Sequence, residues 1–205
     1  MSDAPSGDNK ELPLWRRIHT APHLSDARRA EARLAEFLTT PNGAELQNLA
    51  GHSHVRALLL AIADHSPFLW RLAAANAPRL KRCLEMAPEA CLDACLKALD
   101  DACARAESDA AVMRALRLAK QETALLIALA DLGGVFDVIA ATEALSRAAD
   151  AFIRAALRHV LREAGRGVRV LSRGSHPAAG GYFASRLGGR GTGQTGGKVP
   201  SRSTS

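Results

Sequence analysis

Residues 124–134 read ALLIALADLGG, and this stretch decides the fold class of the chain. Apolar side chains surround nearly the whole circumference of a helix with this sequence, so the segment must be buried on most sides or covered by a partner. Gly133-Gly134 ends the helix, since glycine often follows the last helical turn. The stretch therefore predicts a helix that either lies buried in a helical core or is covered by a partner.

Helix signals continue on both sides of this stretch. Its own helix begins at Ser108-Asp109, and a last helix is capped near Asp137 or Thr142 and closed by Gly165 and Gly167. The predicted inner row of the last helix has steps of 4, 3, 4 and 4: Leu145, Ala149, Phe152, Ala156 and Val160.

Further helices are predicted toward the N-terminus. Ser25 is predicted to cap a helix from Asp26 to about Leu38, and a short helix follows over residues 44–50. Later helix starts lie at Ser53, Ser66-Pro67, Pro78 and Pro88. Residues 25–164 show no period-2 strand pattern, so the expected fold is an all-α bundle of six to eight helices. Residues 1–24 are polar and proline-containing and predict a flexible lead-in, with Trp15 and Ile18 as candidate anchors.

Composition agrees with an all-α fold, because aromatic residues make up only 4% of the chain and strands favour aromatic and β-branched side chains. The sequence contains no run of 18 apolar residues, so it predicts no transmembrane helix. The polar N-terminus shows no secretory signal. We expect a cytoplasmic protein with reduced thiols.

The net charge of +6 does not describe the helical region. Residues 164–205 contain seven Arg or Lys and no Asp or Glu, so the remaining residues carry about one negative charge in total. Glycine, serine, threonine and arginine dominate residues 165–205, which are predicted to be a disordered basic tail. Val168–Leu171 and Gly181–Phe183 are its two hints of strand.

The tail contains a run that resembles a phosphate-binding loop, Gly191–Lys198. Such a loop needs Ser or Thr after its lysine and a following helix. Here Val199 follows the lysine and Pro200 blocks a helix, so a flexible segment is the favoured interpretation. A tail that contacts nucleic acid or membrane through charge alone, attached to a non-enzymatic helical interaction module, is the alternative function.

Four cysteines lie in the helical region: Cys83, Cys91, Cys95 and Cys103. Cys91 and Cys95 are four residues apart and share a helix face, which allows a metal or redox site. None of the four forms a Cys-x-x-Cys pair, and buried packing residues are the favoured interpretation.

Two histidine pairs and a basic stripe are further candidate sites. His19 and His23 are separated by Pro22, and His52 and His54 lie at a predicted helix start, so surface or capping roles are favoured over zinc ligation. The stripe is made of Arg114, Arg117 and Lys120, and it is compatible with phosphate or an acidic partner. A solvated helix face is the favoured interpretation of the stripe.

Three segments within about residues 50–165 resemble the glutamine synthetase adenylyltransferases. The sequence HSPFLWRL at 65–72 is similar to a helix junction of that family. The segment 113–134 is a basic helix that runs into IALADLGG. It is similar to a basic helix of that family that runs into an apolar stretch. Residues 142–151, TEALSRAADA, resemble the helix that follows.

The resemblance implies a bifunctional enzyme that uses divalent metal such as Mg²⁺. One nucleotidyltransferase domain would transfer AMP from ATP to a tyrosine of glutamine synthetase, and another would remove it by phosphorolysis. The resemblance places this chain as the helical region before the AMP-removing domain. Glutamine synthetase is the implied partner, with a possible contact to the family's catalytic domain.

The catalytic block of that family is absent from the sequence. The resemblance implies a Gly-Met-Gly-Lys-Leu-Gly loop followed by Ser-x-Asp-x-Asp, yet no Asp or Glu follows Glu163 and no Ser-x-Asp-x-Asp occurs before it. No catalytic, cofactor-binding or metal-binding residue is therefore carried over. We expect a fragment that is inactive alone, truncated or shifted in reading frame near Phe183, because Gly193–Gly196 can be encoded by DNA that reads Gly-Lys-Leu one base later.

Overall fold

A computed structural model describes the backbone of residues 10–173 and the side chains of residues 10–165. The described residues form ten helices and no strand. The helices are α1 (Leu14–Arg17), α2 (Ala27–Thr39), α3 (Pro41–Ala44), α4 (Gln47–Ala50), α5 (Ser53–His65), α6 (Pro67–Ala75), α7 (Ala77–Glu85), α8 (Pro88–Arg105), α9 (Asp109–Leu132) and α10 (Val138–Arg173). The predicted all-α class is confirmed, and short α1 and α3 bring the number above the expected six to eight.

Local capping signals explain most of the helix starts. Ser66 accepts a hydrogen bond from Leu69 N–H, with Pro67 at the first helical position, as predicted. Asp137 Oδ1 accepts the N–H of Ala140 at 2.7 Å at the start of α10. Two predicted caps differ: Asp26 rather than Ser25 caps α2, and Ser53 lies inside α5 and makes no cap bond.

α9 is the central helix, since it packs on α6, α7, α8 and α10. Its second half lies in the main core, where Leu125, Leu126 and Leu129 are fully buried. Of the two alternatives that the sequence leaves for the apolar segment 124–132, burial in the core or cover by a partner, the structure shows burial in the core. Helices of this same chain cover it.

α1 is tied to the rest of the molecule, although it lies in the predicted flexible lead-in. Leu14 and Ile18 are buried, and Leu14 N–H donates to the Met86 carbonyl at 2.9 Å. Arg17 forms two hydrogen bonds with Glu89, of 2.8 and 3.1 Å. The anchoring role expected of Ile18 is observed, since its side chain is buried.

The predicted inner row of the last helix is wrong. α10 packs on α8 and α9 through a row shifted by one residue, Ala144, Ala148, Ala151, Ala155 and His159. Leu145 and Val160 of the predicted row are instead 56% and 61% exposed. Alanines let helices approach closely, so the small side chains and not the large ones mark the packed face.

Polar contacts border this alanine row. Arg158 pairs with Asp100 at 3.2 Å, Arg147 pairs with Asp93, and Arg162 donates to the Cys103 carbonyl at 2.6 Å. These side chains fix α10 against α8 from one side. The buried His159 adds a 2.6 Å contact from Nε2 to Asp109 Oδ1 at the start of α9.

α10 continues beyond its predicted end. The helix runs through Gly165 and Gly167 to Arg173, so the strand hint at Val168–Leu171 is wrong. A glycine inside a helix costs only about 1 kcal/mol, and no proline interrupts this stretch before Pro177. The predicted disorder of the tail, its second strand hint and its phosphate-loop lookalike lie outside the described residues from residue 174 onward.

Candidate functional site

The four cysteines are buried free thiols, as the packing interpretation predicts. Cys95 and Cys103 belong to the smaller apolar cluster between α8, α9 and α10. Cys83 and Cys91 belong to the main core. The structure therefore divides the cysteines into two pairs that the sequence spacing did not indicate.

Cys83 and Cys91 meet a third polar group that sequence reasoning missed. One sulfur of each cysteine and a carboxylate oxygen of Glu122 all lie within 4.8 Å of one another. We call these three residues the thiol–carboxylate cluster. α7, α8 and α9 supply one member each, so no local spacing in the sequence signals the group.

The two thiols of this cluster differ in acidity. The neighbouring Cys91 thiol and burial together raise the pKa of Cys83 well above its usual range. The hydrogen bond with Cys83 lowers the pKa of Cys91. Away from the cluster, burial raises the pKa of Cys95 to about 12. Cys91 is thus the thiol that ionises most readily in this pair.

Arg82 forms an ion pair with the Glu122 carboxylate of the cluster. Its Nε donates to Glu122 Oε1 at 3.0 Å, and its Nη2 donates to the same oxygen. The Arg82 side chain is 52% exposed and that of Glu122 is 14% exposed. Glu122 is therefore the most exposed member of the cluster, since Cys83 and Cys91 are 0% and 1% exposed.

The histidines singled out in the sequence do not come together as ligands. All four are exposed: His19, His23, His52 and His54. His52 stacks on Trp15 with ring centroids 4.4 Å apart. The surface roles favoured from the sequence agree with these positions.

The basic stripe Arg114, Arg117 and Lys120 is exposed on α9. This exposure agrees with a solvated helix face.

None of the helices within residues 10–173 combines the length and the apolar character needed to cross a bilayer.

A polar cleft of about 490 Å³ lies where α1 and the α9–α10 turn meet the start of α8. Arg17, Glu89 and Arg147 line it, but they already pair with each other or with Asp93. These three charged side chains are thus paired within the protein, and Lys10, His19 and Glu143 also line the cleft.

Several large apolar side chains of α10 are exposed. Leu145, Ile153, Leu157 and Val160 are 55% to 61% exposed. The helical period places Ile153, Leu157 and Val160 on the side away from the alanine row and Leu145 at the border of that side. We call these four residues the α10 apolar face. Contiguous exposed apolar residues of this kind commonly mark an interaction surface.

Comparison with known proteins is consistent with this arrangement. The model of the family described as glutamate-ammonia ligase adenylyltransferase matches residues 56–180. No solved structure gives a significant match.

Curated relatives carry the name bifunctional glutamine synthetase adenylyltransferase/adenylyl-removing enzyme. The relative from Xanthobacter autotrophicus is 44% identical over 169 residues, which cover 80% of this chain and 17% of the relative. A Bradyrhizobium relative is 38% identical over 198 residues, which cover 94% of this chain and 20% of the relative. The relative from Bradyrhizobium diazoefficiens is 39% identical over 167 residues, 79% of this chain and 17% of its own length.

The chain thus spans a fifth or less of the length of these relatives. The family match nevertheless extends over most of the helices, from α5 to α10. Together with the identities of 38% to 44%, this match shows that the chain belongs to the glutamate-ammonia ligase adenylyltransferase family.

Proposed function

We propose that this chain is the helical segment on which the catalytic part of a glutamine synthetase adenylyltransferase/adenylyl-removing enzyme docks. Its relatives are named for adding and removing the adenylyl group of glutamine synthetase. The helical segment contributes to that activity by holding the catalytic polypeptide, and glutamine synthetase is the substrate of the assembled enzyme.

The observation that carries this proposal is the α10 apolar face. Large side chains face solvent there while the alanine row holds the helix to its own bundle. Burying one such side chain contributes about 1.5–3 kcal/mol, so a partner that covers the face gains substantially. Because at least 80% of each relative lies outside the matched region, the family supplies polypeptide to cover it.

We propose that the polypeptide as given does not carry out AMP transfer alone. The family resemblance implies a Ser-x-Asp-x-Asp pair, and this pattern is absent from all 205 residues. Within the described residues, the candidate metal ligands that come together are two thiols and one carboxylate. Mg²⁺ prefers oxygen ligands, so this group does not suit the Mg²⁺ that accompanies ATP, and we place ATP and Mg²⁺ in the catalytic part.

A cytoplasmic location is part of the proposal. All four cysteines are free thiols, which is the state that a reducing compartment maintains. The named substrate of the relatives, glutamine synthetase, gives the same indication.

A binding experiment tests the docking role. The 205-residue chain is mixed with the remainder of the Xanthobacter relative, expressed without its matched region, and binding is measured by calorimetry. We expect Ile153→Asp and Leu157→Asp to weaken binding at least tenfold. Phe68→Asp is the control, because Phe68 is also exposed, at 51%, but lies on α6. Equal weakening by all three substitutions, or by none, overturns the docking role of α10.

An activity assay tests the second half of the proposal. The chain is incubated with adenylylated glutamine synthetase, phosphate and Mg²⁺, and released ADP is measured. We expect no turnover above a blank. Turnover that follows the purified chain through chromatography would show that it carries its own catalytic groups.

A further inference from the structure

The thiol–carboxylate cluster has a composition unlike that of the surrounding core. Cys83 and Cys91 are 0% and 1% exposed, and such cysteines commonly serve as small packing residues. A glutamate is not a packing partner for buried thiols, because a carboxylate loses hydration there. Glu122 nevertheless brings a carboxylate oxygen within 4.8 Å of both sulfurs.

We propose that Cys83, Cys91 and Glu122 bind a thiophilic divalent cation of the zinc class. Cysteine sulfur and carboxylate oxygen are both zinc ligands, and three protein ligands leave the fourth tetrahedral position to water. On binding, each thiol releases its proton to solvent and forms a sulfur–metal bond. No oxidant or reductant is required.

The geometry allows this with a small adjustment. Zinc–sulfur bonds of about 2.3 Å place two sulfurs of a tetrahedral site about 3.8 Å apart. The cluster atoms lie within 4.8 Å of one another, so the ligands need to close by about 1 Å at most. Both cysteines lie near helix ends, at the end of α7 and in the first turn of α8, where backbone adjustment is easiest.

Charge also balances in the loaded site. Two thiolates and one carboxylate are compensated by the divalent cation and by the guanidinium of Arg82. Both hydrogen bonds from Arg82 go to Glu122 Oε1. Arg82 then orients the carboxylate, as partners of metal ligands commonly do.

Glu122 is the cluster member with the most exposed side chain, at 14%, and the side chain of its partner Arg82 is 52% exposed. We therefore expect the ion to enter from the side of Glu122.

Cobalt spectroscopy tests the site on the full 205-residue chain. Co²⁺ is titrated in the presence of a thiol-free phosphine reductant, and Zn²⁺ is then added as competitor. We expect one equivalent of Co²⁺ to produce the visible bands of a tetrahedral site and a sulfur charge-transfer band in the near ultraviolet. Zn²⁺ should abolish both sets of bands.

Matched cysteine variants identify the ligands. Cys83→Ser and Cys91→Ser are expected to weaken Zn²⁺ binding by more than about 100-fold, beyond the effect of losing a partner of a ligand. Cys95→Ser and Cys103→Ser remove equally buried thiols outside the cluster and should retain the bands. Glu122→Gln keeps the shape of a side chain near the surface, and we expect it to weaken binding without loss of helical circular dichroism.

Two outcomes overturn the proposal. One is the absence of charge-transfer bands in the folded wild-type chain. The other is equal metal affinity of wild-type chain, Glu122→Gln and whichever of Cys83→Ser and Cys91→Ser retains the helical signal. Either result would leave these thiols as packing residues only.

Discussion

Arg29 donates a 2.9 Å hydrogen bond to Oδ1 of Asp64, and this contact joins the start of α2 to the end of α5. The other oxygen of Asp64 accepts the backbone N–H groups of Ser25 and Asp26. The Asp64 side chain is 0% exposed. The carboxylate of Asp64, on the neighbouring helix α5, thus accepts the backbone N–H groups at the entry to α2.

Replacement of Asp64 is expected to remove an acid-sensitive part of the stability. The backbone N–H of Asp26, with further help from Ser25 and Arg29, lowers the pKa of Asp64 below its ordinary 3.8. The stabilisation is therefore complete above about pH 4 and is lost as the pH falls through the lowered value. Asp64→Asn should lower the Tm at pH 7 and flatten the decrease in stability on acidification.

The control for this experiment is Asp93→Asn. Asp93 pairs with Arg147, but its side chain is 62% exposed, and exposed pairs contribute at most about 1 kcal/mol. Thermal melts of both variants between pH 7 and pH 3 provide the comparison. An Asp64→Asn curve parallel to that of wild type would contradict the assignment.

Gly134 and Gly165 should respond oppositely to alanine. Gly134 has φ of 72°, and a Cβ there would lie 2.6 Å from Thr20 Cγ2. Gly134→Ala is expected to cost at least about 1 kcal/mol. Gly165 lies in α10 with nothing within 4 Å of its Cβ position, so Gly165→Ala should stabilise by about 0.5–1 kcal/mol. Urea denaturation measures both, and a shared sign would contradict the expectation.

Truncation of Leu126 tests the central position of α9. Leu126 is 0% exposed, and Leu126→Ala should reduce the free energy of unfolding by about 2–5 kcal/mol. Leu161→Ala makes the same chemical change where the side chain is 69% exposed, and its effect should stay within about 0.5 kcal/mol. Comparable losses for the two variants would show that the α9 core is not formed as described.

Arg79 is expected to tolerate lysine poorly. It is 7% exposed and donates to the Leu72 carbonyl at 2.9 Å and to Gln121 Oε1 at 3.2 Å. A lysine ammonium cannot reproduce this fork, so Arg79→Lys should cost about 1–3 kcal/mol. Arg71→Lys, at an exposed position, is the control in the same thermal melts, and an equally large effect there would refute the special role of Arg79.

The helix content was predictable because it rests on local signals. Ser66-Pro67, Asp137 and the Gly133-Gly134 pair all act where the sequence places them. The inner face of α10 was not predictable in this way. Periodicity points to the large apolar residues, whereas close packing on α8 and α9 selects the alanines.

The thiol–carboxylate cluster could not be predicted from the sequence, for a different reason. Cys83 and Glu122 are 39 positions apart in the sequence, and only the packing of α7 on α8 and α9 brings them together. The family resemblance, in contrast, rests on short segments within residues 50–165 and is confirmed by the match over residues 56–180.

The alanine row of α10 also affects the order in which the molecule opens. A buried methyl group contributes only about 0.8 kcal/mol, against 1.5–3 kcal/mol for a large apolar side chain. The last helix is therefore held to its bundle mainly by small side chains, while Leu145, Ile153, Leu157 and Leu161 face solvent. In amide hydrogen exchange α10 should lose protection before α9, and a bound catalytic partner should reverse that order. The family would then gain a helix whose stability depends on whether the enzyme is assembled.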